Sequence, residues 1–290
     1  MNAFLTELGK SLAPRWAATL ALPAAAFVAL AAAAIVLGHS HALDLALLRS
    51  RATAVSTGPA LLWVVVAFLV ATGAMGLAVT ALGSVVIAAW GTTGVGVGRP
   101  FVALRHRRWR RASAKADAAI KVVLADRSDR RAKREARRAV LRREAISQLE
   151  PECPTWAGDR LRAVDDRIRR GAGLDLTTLW PRLWLVLPEP VRTEVAAVQD
   201  RCASAARTPV WGVACLLVGA YWWPALVPGL WLVLLSRRRI RRAVGVYADL
   251  VESSTDLHAR DVANQLGFEL TGKLTPEIGN QVTEMLRKQA

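Results

Sequence analysis

From Gly58 to Gly98 the chain carries no ionisable side chain. No core element of a water-soluble domain needs so long an uncharged run. A helix from Pro59 to about Trp90 would reach ~48 Å, well beyond the ~30 Å hydrocarbon core of a bilayer. Tilting and protrusion absorb that excess. Two short crossings with a turn near Thr72–Gly76 would have about 17 residues each, at the lower limit of a span, and no polar turn between them. One long helix is therefore the expected form. The Gly-rich stretch from Gly91 to Gly98 is a poor helix former and reads as the exit at the interface.

Two further uncharged runs flank this one in sequence. Trp16–Leu37 has 22 residues, enough for about 33 Å of helix. Lys10 and Arg15 precede it, as they would in a signal peptide. Its apolar stretch exceeds the usual 7–15 residues, however, and no small-x-small cleavage site ends it. A retained anchor is expected. The third run, Pro209–Ser236, is divided by Pro224 and Pro228 and is basic on both flanks.

Charge then sets the orientation. The formal net charge is +16, from 39 Lys and Arg against 23 Asp and Glu. Between Arg105 and Glu144 there are sixteen basic residues and five acids, so this segment holds +11 of the total. It follows a predicted span directly, and an excess of Lys and Arg marks the cytoplasmic flank. With no Pro or Gly from Phe101 to Glu150, it reads as one or two long helices. Such helices lie where anionic headgroups attract them, at ~1 kcal/mol per basic residue near the surface. Arg105, Arg107, Arg108, Arg110 and Arg111 are the expected lipid-binding residues, together with Arg237, Arg238 and Arg239 after the third run. Nucleic acid would also take a basic helix. Here Trp109 is the only aromatic residue between Val102 and Gln148, so stacking platforms are missing, and no helix-turn-helix, RNP or zinc-finger pattern occurs. An acidic protein partner stays open as the other occupant.

The expected organisation is an all-α integral membrane protein of the cytoplasmic membrane with both termini cytoplasmic. Residues 1–15 form a cytoplasmic N-terminus, and 16–98 hold two transmembrane helices with an external loop at 38–58. Residues 99–208 form the basic helical cytoplasmic region. Residues 209–236 make a membrane hairpin or a third span, and 237–290 a helical cytoplasmic tail. A single third crossing would place "SRRRIRR" (Ser236–Arg242) outside, against the charge rule. A re-entrant hairpin folded at "YWWPALVPG" keeps Arg207 and Arg237–Arg239 on one side. Its arms of 12–13 residues are short for a span, and a turn inside the membrane needs shielding by protein.

The cytoplasmic text has recognisable helices. In "PECPTWAGDRLRAVDDRIRR" (151–170), Leu161, Val164 and Ile168 recur at spacings of three and four, giving an amphipathic helix that Gly171 and Gly173 stop. Pro181 and Pro188 are expected to limit two further helical pieces. Trp180, Leu183, Trp184 and Leu187 make an apolar stripe that packs on other helices, dips into the headgroups or receives a partner. Ile240, Val244, Tyr247, Val251 and Val262 carry a looser helical pattern. Thr275, Pro276 and Glu277 predict the start of a last helix running to about Arg287.

"PTWAGDRLRAVDDR", "GLDLTTLWPRLWLVLPE", the Trp–Pro membrane run and "YADLVESSTDLHARDVANQLG" occur in that order over residues 153–267. In this the chain resembles a group of actinobacterial multi-pass membrane proteins. The resemblance implies a topology and supplies no activity. The chain departs from the group at Asp159, where Asn is common, and in its shorter hairpin.

Signals for chemistry are sparse. His39 and His41 have only Asp44 nearby as a further ligand, so no metal site is expected. Cys153, Cys202 and Cys215 are odd in number and lack CxxC spacing. Asp256, His258 and Asp261 have no accompanying nucleophile, and 256 and 258 diverge on a helix. "GTTGVGVG" has no preceding strand and no Lys-Ser/Thr, so it is not a phosphate loop. No cofactor is expected. None of the three apolar runs contains the Asp, Glu, His or Arg that ion-coupled carriers place in their spans. Thr72, Gly76, Thr80, Ser84, Ala88 and Thr92 form a ladder of small residues. It is expected to let helices approach, either within the chain or between copies in a homo-oligomer. The functional expectation is a non-enzymatic, membrane-anchored interaction or scaffold protein. The alternative is an oligomeric pore-forming or membrane-perturbing effector.

Overall fold

The computed structural model describes residues 21–56, 61–92, 98–268, 272 and 274–288. Lys10, Arg15 and the rest of the N-terminal stretch 1–15, the start of the first apolar run, Gly58–Ala60 and most of the Gly-rich exit lie outside the described residues. Within them the secondary structure is entirely helical. The helices are α1 (Leu22–Leu37), α2 (Leu45–Ser56), α3 (Leu61–Gly91), α4 (Arg99–Ala125), α5 (Arg130–Glu144), α6 (Trp156–Ala172), α7 (Leu176–Val186), α8 (Glu189–Gly219), α9 (Leu226–Gln265) and α10 (Pro276–Lys288), with a 3₁₀ turn at Trp223–Ala225 before α9. The chain divides into two compact units. One takes Met1–Val86 and Ala203–Arg239, the other Ile87–Cys202 and Ile240–Ala290.

α3, most of which lies in the first unit, is one uninterrupted helix of 31 residues. Within its most apolar stretch only 11% of positions are buried, and Leu62, Trp63, Leu69, Val70 and Leu77 are each more than 60% exposed. The helix turns one face inward: Val79 is fully buried, Gly76 lies opposite Ala24 of α1, and Gly83 lies against the Arg207 side chain of α8. The small-residue ladder divides between the two sides of this helix. Thr72 and Gly76 are on the inward side, but Thr80, Ser84 and Ala88 are exposed. Four residues advance a helix by about 400°, so a strict four-residue ladder drifts some 40° per step and leaves the face. The packed face instead alternates threes and fours through 72, 76, 79, 83, 86 and 90. Thr80 and Ser84 donate their hydroxyls to Gly76 and Ala81 of their own helix.

Residues 38–58, expected as an external loop, contain α2. Asp44 accepts the Leu47 N–H at 2.9 Å as its cap, and neither Pro nor Gly interrupts the Leu- and Ala-rich residues that follow. The third apolar run is also longer in structure than in sequence. α8 runs straight through Pro209, and α9 continues through the arginines at 237–239. Pro209 removes the N–H that Ala205 would accept, a cost of about 3 kcal/mol. Burial of Val195, Val198, Ala205 and Ala206 along the same helix outweighs it. The chain reverses at Tyr221–Ala225, where Pro224 sits in the 3₁₀ turn and Pro228 in the first turn of α9, a position whose N–H would be unbonded anyway. Gly212, Gly219 and Gly229 let the two arms touch: a methyl at Gly212 would meet Val233 at 2.7 Å and one at Gly229 would meet Leu216 at 2.9 Å. Trp222 at the tip donates to the Ala42 carbonyl at 2.9 Å.

The second unit has its core among α6, α7, α9 and α10. Leu174, Leu179, Leu183, Val251, Val282 and Leu286 lie at its centre. Pro181 does not limit a helix as expected; it lies inside α7. Leu179 and Leu183 on either side of it are buried, which offsets the one backbone bond lost at Thr177. The apolar stripe 180–187 thus packs on this core, with Leu183 and Leu187 buried and Trp180 and Trp184 half-buried against it.

Candidate anion-binding surface

The basic segment forms two helices rather than one, and "DRSD" at 126–129 is the reason. Asp126 accepts the Ser128 N–H at 2.9 Å and its hydroxyl at 2.6 Å. Asp129 caps α5 by accepting from Arg131 and Ala132. A four-residue turn makes α4 and α5 antiparallel neighbours. Their seam is alanine: Ala116, Ala132 and Ala136 are buried, so the backbones come close and the long cationic side chains go to the outside.

Arg107, Arg108, Arg110 and Arg111 are exposed, as are Arg237, Arg238 and Arg239 in the other unit. Arg239 also donates to the Thr208 hydroxyl at 3.4 Å. Arg105 is different, because its guanidinium is engaged within the chain. It shares the inward face of α4 with Trp109, Ala112 and Ala116, and it is held by Asp159 and by the Ile146 carbonyl. Trp109 donates to the Ser147 carbonyl at 3.1 Å, so residues 146–147 are stitched to α4 from both positions.

At the base of the hairpin a cleft of about 260 Å³ opens between the helices. Arg108, Arg111 and Lys115 line one side of it and Arg142 the other. Its floor is apolar, made of Ala112, Ala139 and Ile146. None of the five acids of the segment lines this cleft. Asp126 and Asp129 are caps, Glu135 pairs with Arg131, Asp117 accepts from Ser113, and Glu144 lines a neighbouring cleft with Gln148 and Arg167. Among the described residues, none of the four cations has an ion-pair partner. Sequence reading singled out Arg108 and Arg111 but missed Lys115 and Arg142. The spacing 108, 111, 115 was available as a signal; the contribution of Arg142 depends on the antiparallel return.

The motif "PTWAGD" builds a joint beside this hairpin. Thr155 caps α6 by accepting the Gly158 N–H, and a methyl at Gly158 would stand 1.9 Å from the Trp90 carbonyl at the end of α3. Asp159, 1% exposed, accepts from the Glu152 and Cys153 N–H groups as well as from Arg105. Arg241 of α9 stacks 5.3 Å from the Trp156 ring centroid and donates to the Ala145 carbonyl. Burial pushes the Cys153 thiol up, with the nearby Asp159 charge adding to the effect. "GLD" is a second joint. Gly173 takes φ +68° to end α6, where only glycine clears the Pro276 carbonyl, and Leu174 enters the core. Asp175 caps α7, receives Arg287 at 2.7 Å and gives its N–H to Thr283.

No family model, curated protein or solved structure matches this chain.

The remaining chemistry-bearing residues are apart. His258 lies 3.2 Å from Asp261, whereas the nearby cleft of about 790 Å³ is lined by Asp256, Thr255 and the Arg167–Glu252 pair. Arg167 meets Glu252 through two bonds of 2.7 Å, and the hydrogen bond and charge of Arg167 hold the Glu252 carboxyl below its usual range. Thr255 donates to the Val251 carbonyl. His41 bonds its neighbour Ser40. Among the described residues no group of three His, Cys, Asp or Glu is placed to hold a metal.

Proposed function

We propose that this chain is a non-enzymatic integral membrane protein that acts as a membrane-anchored interaction or scaffold component. Its basic hairpin engages anionic lipid headgroups on the cytoplasmic side. The observation that carries the reading is α3: 31 residues without a charge, with 89% of its most apolar window left unburied by the rest of the chain. Soluble proteins do not leave a patch of that extent to water, and only a hydrocarbon solvent gives it a favourable environment. α8 is also long enough to cross, with 44% of its corresponding window buried.

The arrangement of the first unit supports a topology with residues 38–58 outside and both termini cytoplasmic. The hairpin tip at Trp222 bonds to Ala42 of the segment read as external, while Arg207 and Arg237–Arg239 stand at the other end of both arms. Arms that continue as α8 and α9 answer the shortness of a 12–13-residue hairpin. The resemblance to the actinobacterial multi-pass group belongs to the same proposal. Its motif residues Thr155, Gly158, Asp159, Gly173 and Asp175 all act as caps and joints, which supports reading them as determinants of architecture.

Extraction with alkaline carbonate tests the anchor and thiol labelling tests the topology. The chain stays in the membrane pellet. A cysteine at Ser50 reacts with an impermeant reagent on intact cells, and one at Ser128 reacts only after lysis. Release by carbonate, or labelling of Ser128→Cys from outside, overturns the proposal.

A further inference from the structure

We propose that the cleft between α4 and α5 is a discrete site for a phosphomonoester headgroup of an anionic lipid, distinct from the diffuse charge of the hairpin surface. The inference rests on the membrane reading above. Arg108 and Arg111 are three apart on one helix and Arg111 and Lys115 four apart, a spacing at which like charges repel. Arg142 is brought to them from α5. Four of the five acids of the segment are committed to caps, a hydroxyl or another arginine, the fifth, Glu144, lines a neighbouring cleft, and no acid lines this one, which leaves the set uncompensated among the described residues. An occupant with concentrated negative charge relieves that repulsion. A phosphomonoester carries about −1.5 to −2 at neutral pH and offers three oxygens to guanidinium forks, whereas a diester headgroup carries a single charge.

The floor points to the source of the phosphate. Ala112, Ala139 and Ile146 present methyl and methylene surface where a free phosphate would want donors. A volume of about 260 Å³ holds one phosphate with several carbons attached. A phosphate followed by glycerol and the first acyl carbons meets both halves of the cleft. A nucleic-acid backbone supplies diesters and bases, and the floor has no aromatic ring to stack them on.

The full-length chain in phosphatidylcholine nanodiscs, titrated with dioctanoyl phosphatidic acid or dioctanoyl phosphatidylglycerol and read by native mass spectrometry, tests this. Phosphatidic acid binds about fivefold tighter, as one extra charge among cations at a surface predicts. Arg111→Gln with Arg142→Gln removes the preference. Arg130→Gln with Arg137→Gln, exposed on the same hairpin outside the cleft, keeps it. Lys115→Ala lowers it part-way and serves as the milder variant, with helical circular dichroism confirming the fold of each. Equal affinity for the two lipids, or equal losses from both double variants, overturns the site while leaving carbonate-resistant anchoring intact. Displacement of the lipid by an equal concentration of inorganic phosphate overturns the lipid assignment, and so does tighter binding of a duplex oligonucleotide. Release of the chain by carbonate instead marks failure of the membrane reading itself.

Discussion

Arg105 places one guanidinium nitrogen 2.5 Å from the Asp159 carboxylate and 2.9 Å from the Ile146 carbonyl. The first arginine of a basic run is therefore a structural tie between α4, the 145–155 connection and the start of α6. Asp159→Ala leaves a half-buried cation and two backbone N–H groups without their acceptor. The expected loss is about 3 kcal/mol, the scale for removing one partner of a buried ion pair. Arg107→Ala and Arg110→Ala, both exposed, change stability by less than about 0.5 kcal/mol. Thermal unfolding in detergent checks the contrast, and equal effects at 159 and 107 would contradict the tie.

The hairpin arms meet through glycine, and that makes them sensitive to volume. Gly212→Leu drives a side chain into Val233 and the Gly229 carbonyl, and Gly229→Leu drives one into Leu216. Each should cost about 1–3 kcal/mol by overpacking. Gly73→Leu, with nothing within 4 Å of its added carbon, is the matched control on an exposed part of α3. A melting temperature lowered by the first two and not by the third supports close packing of the arms.

Much of the architecture was legible because local chemistry specified it. Gly173 marks the end of one helix and Thr275 with Pro276 the start of another without tertiary knowledge, and the helices Trp156–Ala172 and Pro276–Lys288 match these ends. What escaped the sequence depends on partners. Pro181 and Pro209 read as breaks, and only burial on both sides, seen in the fold, carries the helices through them. The cationic cleft was half visible, since the α4 spacing is local and Arg142 arrives by the antiparallel return.

The small-residue ladder shows the same limit and yields a test. Its members were chosen at intervals of four, whereas the packed face follows 3.6. Gly76→Leu places bulk against Ala24 and should lower thermal stability by about 1 kcal/mol or more, while Ser84→Leu, facing outward, leaves it unchanged. Cross-linking in native membranes reports separately on contact between copies. If a cross-linked dimer is lost with Ser84→Leu alone, the outward side of α3 is the contact; loss with Gly76→Leu alone points to the chain's own packing.

Two ion-paired carboxylates contribute to the acid sensitivity of the second unit. Burial of Asp175 acts to raise its pKa, but the Arg287 hydrogen bond, the Thr177 N–H and the charges of Arg287 and Arg169 together hold it below the usual value. Glu252 is held down chiefly by its hydrogen bond to Arg167. A carboxyl whose folded pKa lies below its unfolded value, about 3.9 for Asp and 4.3 for Glu, favours the fold wherever it is ionised. That contribution is complete above the unfolded values and disappears as pH falls through them towards the folded ones. The melting temperature should therefore be level from neutral pH to about pH 5 and decline below about 4.5. Glu252→Gln and Arg287→Met lower it at neutral pH and flatten the acid decline, because the ionised pair is no longer there to lose. A decline of unchanged steepness in both variants would assign the acid sensitivity to other groups.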